Sequence, residues 1–249
     1  MNIFYLDEDP RVISKWMLDK HIVKMPLESA QMLSTAKRLL DGKQTTVTLS
    51  HPENGKPLSK TFWLFPGEKP ILETSYNKDK LQISWRVEHA LCYQVAHAKH
   101  PSTVWTLQSK ANYEWHFSLF KEMLCEFTSR YGKRHSAENI SDFLEVAPEN
   151  ARNLPFAGNL PQAMPDKYKN ESSIIAYRQY YVGEKWRFAK WKHDEVPPWF
   201  FSTMKDTWNK DFPTRDEKLY FLNECFSKKT LPMDRRVATI ATEILSSNV

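Results

Sequence analysis

Polar residues recur near the start of the chain at spacings that would place them on one face of a helix. His21, Lys24 and Glu28 are separated by three and four residues, and Gln31 and Thr35 continue the series. Residues three and four apart are neighbours on a helix surface. A carboxylate close to a histidine and a lysine has the composition of an acid–base site, because burial and neighbouring charges set its pKa. We therefore predict a site at Glu28, with an ordinary solvent-exposed face as the alternative.

Cationic and aromatic residues alternate in a second tract, within residues 177–192. The cations are Arg178, Lys185, Arg187, Lys190 and Lys192, and the rings are Tyr177, Tyr180, Tyr181, Trp186 and Trp191. Cations bind phosphates, and ring faces stack on unpaired bases. Helical spacing predicts Arg178, Lys185 and Lys192 on one side, with Tyr177 and Tyr181 facing inward. The tract indicates a nucleic-acid contact or, equally well, an aromatic core beneath a solvated basic face.

The helix that carries the first motif must begin at a strong start signal. Asp9 can cap it and Pro10 suits its first position, after the extended run at residues 2–6. We expect this helix to reach about Leu40, with a kink or break at Pro26, just before Glu28. Two short strands around the Asn54–Gly55 turn are predicted within residues 44–65.

Helices are predicted for most of the remaining chain, over residues 76–97, 102–131, 137–144 and 171–194. The proline-punctuated stretch from Pro148 to Asn170 is predicted to be an ordered but irregular loop. Thr214 is predicted to cap one of two or three helices after Pro197. The fold class is therefore mainly α: a compact helical domain over residues 1–196, with a short N-terminal extended segment and a small β-hairpin, and a C-terminal helical extension over residues 197–249.

Composition limits the classes of function. The net charge of +5 permits a polyanionic partner, while six glycines leave no phosphate-binding glycine loop. Cys92, Cys125 and Cys225 match no metal-ligand spacing and indicate a reducing, cytoplasmic environment. No apolar run approaches the length of a membrane span, so we expect no membrane association. We predict no metal and no cofactor.

The opening of the chain also resembles a known family. Asp19, Lys20, His21 and Glu28 behind a short N-terminal strand look like the start of the phage-type pyrimidine-dimer DNA glycosylases, the endonuclease V type. The segments MNIFYLDEDP, DKHIVKM and ESAQMLSTA are similar to phage-encoded proteins without an assigned role. The glycosylase family is compact and mostly helical, and it excises a base with a free N-terminal amine and an essential glutamate. The resemblance implies that Glu28 is the catalytic carboxylate and His21 a DNA contact, in a phage-encoded or bacterial intracellular protein.

Two positions depart from that family. Leu27 stands where the family has an arginine, and Asn2 is too large for efficient removal of Met1. The nucleophile would then be the Met1 amine, because an α-amine with a pKa near 8 is partly unprotonated at neutral pH. Lys20 or Lys24 would need a lowered pKa to replace it. Without an amine in reach, Glu28 would align a water instead.

The partner that this reading implies is double-stranded DNA. The predicted DNA contacts are Lys20, Gln31, Arg178, Tyr181, Lys185, Arg187 and Lys190, and the predicted base-pocket residues of the irregular loop are Asn153, Phe156, Asn159 and Asp166. The function is a glycosylase for a damaged or modified pyrimidine, with or without strand cleavage. The alternatives are a transferase that modifies a base or nucleotide, and a DNA-binding protein without catalytic activity. The sequence leaves the lesion and the oligomeric state open.

Overall fold

The fold is mainly α, as predicted, with two small antiparallel sheets of two strands each in the described residues. The computed structural model describes residues 2–78, 80–193, 196–212, 214–227 and 234–246. Two compact units divide the chain. The first unit comprises Met1–Pro26, Ser118–His135 and Gly158–Val249, and the second comprises Leu27–Phe117 and Ser136–Ala157. The boundary predicted between residues 196 and 197 therefore lies inside the first unit.

Two helices occupy the N-terminal region where one interrupted helix was predicted. Helix α1 (Pro10–Trp16) begins at the Asp9 cap, whose side chain accepts the Arg11 N–H, as expected. Helix α2 (Asp19–Asp41) contains Pro26 and continues through it. Of the kink or break predicted just before Glu28, the break does not occur, and the helix is interrupted at residues 17–18 instead.

Side chains from distant segments explain the position of that interruption. The Arg130 guanidinium donates hydrogen bonds to the carbonyls of Lys15 and Met17, each with an N···O distance of 2.8 Å. The Leu18 N–H donates to the Tyr181 hydroxyl at 3.0 Å. These bonds satisfy backbone groups at the end of one helix and the start of the next. Burial of Ile22 favours helix continuity around Pro26, because packing outweighs local propensity.

The second unit contains two β-hairpins. Strands β1 (Lys43–Ser50) and β2 (Pro57–Leu64) pair around a turn in which Gly55 has a φ of 67°, which confirms the predicted hairpin. Strands β3 (Lys69–Asn77) and β4 (Lys80–Glu88) form the second hairpin. The helix predicted over residues 76–97 is therefore wrong. Burial alternates along β4 with a period of two, which is the period of a strand.

The long helix predicted from Ser102 to Tyr131 is divided at Ser109. Helix α3 (Pro101–Gln108) is capped by His100 rather than by Ser102, and helix α4 (Lys110–Tyr131) follows at once. The Ser109 hydroxyl accepts the Asn112 N–H at 3.0 Å, so it caps the start of α4. The predicted short helix is confirmed as a 3₁₀ turn (Ser136–Ile140) followed by α5 (Ser141–Glu145).

The predicted irregular loop is confirmed, with one 3₁₀ turn at Asp166–Tyr168. Helix α6 (Ser173–Tyr180) then continues into a π turn (Tyr181–Lys185) and a 3₁₀ turn (Trp186–Phe188). The single helix predicted over residues 171–194 is thus shorter and irregular, and Asp194 lies outside the described residues. A Cβ atom at Gly183 would collide with the Tyr168 ring, so glycine permits this close approach.

Three helices complete the first unit: α7 (Phe200–Asp211), α8 (Arg215–Ser227) and α9 (Arg235–Ser246). Thr214 and Glu217 exchange hydrogen bonds at the start of α8, so the predicted cap is confirmed. Trp186 packs edge to face on Trp208 of α7, with ring centroids 4.8 Å apart. This contact joins the basic aromatic tract to the C-terminal helices in one core.

Three further features bear on function. In the second unit, Arg38 and Glu68 form a bidentate ion pair whose side chains are both fully buried. Cys92 and Cys225 are buried thiols, whereas the Cys125 thiol is exposed. None of the described helices is long and apolar enough to span a membrane.

Candidate functional site

His21 is held in the first unit by Tyr181. Its Nδ1 lies 2.7 Å from the Tyr181 oxygen, which also accepts the Leu18 N–H, and its ring stacks on Phe4 at 4.3 Å between centroids. The Tyr181 hydroxyl proton finds its acceptor in Nδ1, which leaves the imidazole proton on Nε2. His21 is thus arranged as a hydrogen-bond donor.

The charge state of His21 agrees with this arrangement. Burial lowers the pKa of His21 to about 3, with smaller effects from the charges of Lys185 and Lys24. The ring is therefore neutral at pH 7, because its pKa lies far below that value. His21 can donate to a phosphate or sugar oxygen, but it does not titrate near neutral pH as a general acid.

Lysines surround this histidine, and we call Lys20, Lys24 and Lys185 the lysine cluster. Lys20 Nζ lies 4.9 Å from the centre of the Phe188 ring, which is itself 6.0 Å from the His21 ring. Lys185 Nζ lies 4.7 Å from the Tyr180 ring centre. Ammonium groups over rings keep their charge available to a further anion. In the described part of the first unit, Lys20 and Lys185 therefore carry charges that a phosphate could approach.

The basic aromatic tract divides into internal and external residues. Tyr177, Tyr181, Trp186 and Trp191 are buried in the core, so the Tyr181 ring predicted to contact DNA is fully enclosed. Arg178 also serves an internal role, since its guanidinium donates to the Leu6 carbonyl at 2.9 Å and lies over Trp16. Arg187 and Lys190 are exposed. The π turn also removes the helical register that predicted Arg178, Lys185 and Lys192 on one side.

The second unit holds the remainder of the polar stripe, and much of it is shielded from solvent. Glu28 is only 8% exposed and Thr35 is fully buried, while Gln31 is half-buried. The Thr35 hydroxyl donates to the Ala96 carbonyl at 3.0 Å, so this end of the stripe is structural. The alternative of an ordinary solvent face therefore does not hold for Glu28 or Thr35.

The Glu28 carboxylate influences a histidine of the same unit. Burial lowers the pKa of His100, and the negative charge of Glu28 opposes that change. His100 also caps α3 through Nδ1, which accepts the Ser102 N–H at 3.2 Å. The start of α3 thus contributes to the electrostatic environment of Glu28.

A buried hydrogen-bond chain fixes the helix turn that carries Glu28. Ser29 Oγ lies 3.1 Å from His116 Nε2, and His116 Nδ1 lies 2.8 Å from Thr106 Oγ1. Thr106 donates to the Ser102 carbonyl at 2.9 Å, so its oxygen accepts the Nδ1 proton and Nε2 accepts from Ser29. Burial lowers the pKa of His116 to about 3. Sequence reasoning missed this chain, because its members lie far apart along the sequence.

The four loop residues predicted to form a base pocket belong to two different units. In the second unit Asn153 is exposed, and the Phe156 ring packs on Trp105 and Trp115 at centroid distances of 5.9 and 5.6 Å. In the first unit Asn159 accepts two hydrogen bonds from Ser173, and Asp166 pairs with Lys169.

Met1, predicted as the nucleophile, lies outside the described residues. Among the residues that are described, no group of three or more His, Cys, Asp or Glu side chains could hold a metal ion. No family model, curated protein or solved structure matches the chain. The function is therefore inferred from the chemistry of the candidate residues.

Proposed function

We propose that this protein is a DNA glycosylase that excises a damaged or modified pyrimidine from duplex DNA. The observation that carries the proposal is the burial of Glu28, which is 8% exposed on α2. Shielded acidic groups are common at catalytic sites, because burial and neighbouring charges adjust their chemistry for acid–base catalysis. The same helix carries Lys20, His21 and Lys24 in its first turns, where phosphate-binding groups support a DNA substrate.

The reaction breaks the bond between the pyrimidine nitrogen and the sugar C1′. In the hydrolytic form, a water adds to C1′ while the base leaves with the bonding electrons, and Glu28 accepts the water proton. In the amine form, an unprotonated amine attacks C1′ and displaces the base, and loss of the amine protons with opening of the C1′–O4′ bond then gives a Schiff base, which permits strand cleavage. Glu28 stabilises the positive charge that develops on the sugar in both forms.

Access to C1′ requires the target nucleotide to leave the base stack, which costs a few kcal/mol. Contacts between lysines and phosphates offset this cost, since each neutralised phosphate also releases counterions. Lys20 and Lys185 of the lysine cluster supply two such cations, and the Nε2–H of His21 adds a neutral donor. Exposed Arg187 and Lys190 extend the positive surface.

The test is release of the base from labelled duplexes that carry modified cytosines or thymines, together with strand cleavage of duplexes that carry a pyrimidine dimer or an abasic site. Half of each sample receives borohydride, which traps a Schiff base as a stable amine. Base release with a trapped adduct supports the amine form, and release without one supports the hydrolytic form. Mass added to intact nucleosides would indicate a transferase, and binding without any product would indicate a DNA-binding protein. Either result contradicts the proposal.

Replacement of Glu28 by glutamine should reduce base excision by about 10²-fold or more while DNA affinity and folding persist. Glutamine keeps the shape of the side chain but cannot accept a proton or balance the charge on the sugar. Single-turnover kinetics on the preferred duplex measure the effect. Glu114→Gln is the control, because Glu114 is an exposed carboxylate of α4. Full activity of the Glu28→Gln protein would exclude Glu28 as the essential carboxylate.

Loss of two members of the lysine cluster should weaken duplex binding and flatten its dependence on salt. For Lys20→Ala with Lys185→Ala, the slope of log K against log salt should fall by about two, because each phosphate contact contributes about 0.9. The matched control is Lys56→Ala with Lys60→Ala, which removes the same charge from exposed hairpin positions. Equal slopes in the two double variants would show that the cluster does not contact phosphate.

A further inference from the structure

Two adjoining pockets in the second unit share the side chains of Gln108 and Arg152. One has a volume of about 290 Å³ and the other about 260 Å³. Leu154 and Pro155 form an apolar wall of the first pocket. The apolar residues that line the second pocket are Leu40, Val104 and Leu107. The guanidinium of Arg152 therefore stands at the junction of two concave and partly apolar surfaces.

The backbone holds Arg152 in place without using its side chain. Its carbonyl oxygen accepts the Lys110 N–H at 2.8 Å and the Leu154 N–H at 3.0 Å. Its guanidinium has no acceptor among the described residues, and the side chain is exposed. Five N–H donors in a planar fork match the oxygens of a phosphate or carboxylate. The junction thus presents a cation on a hydrogen-bonded backbone, with its donors exposed.

Two largely buried residues of the first pocket, Asn112 and Ser109, carry polar side chains. Both polar atoms of the Asn112 amide are hydrogen-bonded. Nδ2 donates to the Trp105 carbonyl and Oδ1 accepts the Ala157 N–H, both at 2.9 Å. Ser109 Oγ accepts the Asn112 N–H, and its own proton has no acceptor in the described part of the chain. Ser109 lines the pocket but is only 2% exposed, so the exposed amide of Gln108 is the main group here that can bond to a ligand.

We propose that this junction binds a nucleotide, with the phosphate on Arg152 and the base against the apolar walls. A free inorganic anion would use Arg152 and leave the walls empty, whereas a purely apolar ligand would leave the guanidinium unpaired. A nucleotide both pairs with the guanidinium and covers the apolar walls. The polar edges of its base can form hydrogen bonds with Gln108. The bound nucleotide is either a free nucleotide or one residue of a single strand. The inference is independent of base excision, because it rests on neither Glu28 nor the lysine cluster.

The experiment is calorimetric titration of the full chain with thymidine 5′-monophosphate, with thymidine and with single-stranded tetrathymidylate. We expect the monophosphate to bind at least about tenfold more tightly than thymidine, because a charged hydrogen bond to the phosphate is lost in thymidine. Arg152→Ala should remove about the same factor, and Gln108→Ala should reduce affinity less. Lys110→Ala is the control, since it removes a neighbouring exposed cation paired with Glu114.

Each outcome either tests the proposal or identifies the source of the nucleotide. Tighter binding of tetrathymidylate than of the monophosphate, with the difference lost in Arg152→Ala, identifies a strand as the source. Equal binding of the two identifies a free nucleotide. The proposal is overturned if neither binds, if thymidine binds as tightly as the monophosphate, or if Arg152→Ala and Lys110→Ala behave alike. Excision by Arg152→Ala, measured separately on a duplex, reports on the proposed glycosylase function.

Discussion

Replacement of Arg38 by methionine is expected to lower the free energy of unfolding of the second unit by about 3–5 kcal/mol. The Arg38 and Glu68 side chains are fully buried and joined by two hydrogen bonds of 2.8 Å. Arg38 also donates to the carbonyls of Trp63, Cys92 and Tyr93. Methionine fills similar space but leaves the Glu68 charge and three carbonyls without these donors.

The pKa of Glu68 shows how strongly Arg38 affects its partner. Burial alone would raise the pKa of Glu68, but hydrogen bonds from Arg38 and from the Phe65 and Leu91 N–H groups lower it below its usual value. Glu68 is therefore charged at neutral pH and needs its partner. Arg38→Lys should also destabilise, since an ammonium cannot make the bidentate contact.

The matched control for Arg38→Met is Arg86→Met, in the same unit. Arg86 and Glu73 form an equally short ion pair of 2.7 Å between β3 and β4, but their side chains are 62% and 45% exposed. Exposed pairs contribute about 0–1 kcal/mol, so this variant should remain near the parent. Chemical denaturation at pH 7 measures both. Similar losses for the two variants would show that burial does not determine the strength of the Arg38 pair.

Acidification from pH 7 to pH 5 should destabilise each unit by about 2 kcal/mol through one buried histidine, and the lowered pKa of His100 adds to this loss in the second unit. Burial lowers the pKa of His21 in the first unit and of His116 in the second to about 3, from an ordinary value of 6.5. The unfolded chain therefore binds more protons between these values. Stability is complete above about pH 6.5 and is lost as the pH falls toward 3.

Denaturant titrations at pH 7, 6 and 5 measure this effect. The window above pH 5 isolates the histidines, because the ordinary pKa of the Glu68 carboxyl is 4.5. His116→Asn should reduce the pH dependence of the second unit to the part that His100 contributes, even if it lowers stability at pH 7. His51→Asn is the control, since His51 lies at the exposed hairpin turn. An unchanged slope in His116→Asn would contradict the assignment of His116 as the titrating group.

Elements with strong local signals were predictable from the sequence. The Asp9 cap, the Gly55 turn and the Thr214 cap each depend on a few neighbouring residues, and each occurs where predicted. The second hairpin was missed because the aromatic residues of β4 also fit a helix when read every three or four positions. Its partner strand supplies the hydrogen bonds that decide between the two.

The candidate site was predictable in its residue types but not in its environment. Spacing singled out His21 and Glu28, whereas their burial depends on Tyr181, Ser29 and His116 and on packing across more than eighty residues of sequence. Tyr181 was predicted both to face inward and to contact DNA, because an aromatic residue between cations fits a core and an interface equally well, and its burial confirms the inward position. Only the tertiary structure separates these cases.

The thiols offer a practical consequence for studies of this protein. Burial raises the pKa of the Cys92 thiol, and Cys225 is buried as well, whereas Cys125 is exposed on α4. Reaction with a maleimide requires an accessible thiolate. A fluorescent dye added near neutral pH should therefore attach to Cys125 of the native protein, which provides an optical reporter on the first unit without any engineered cysteine.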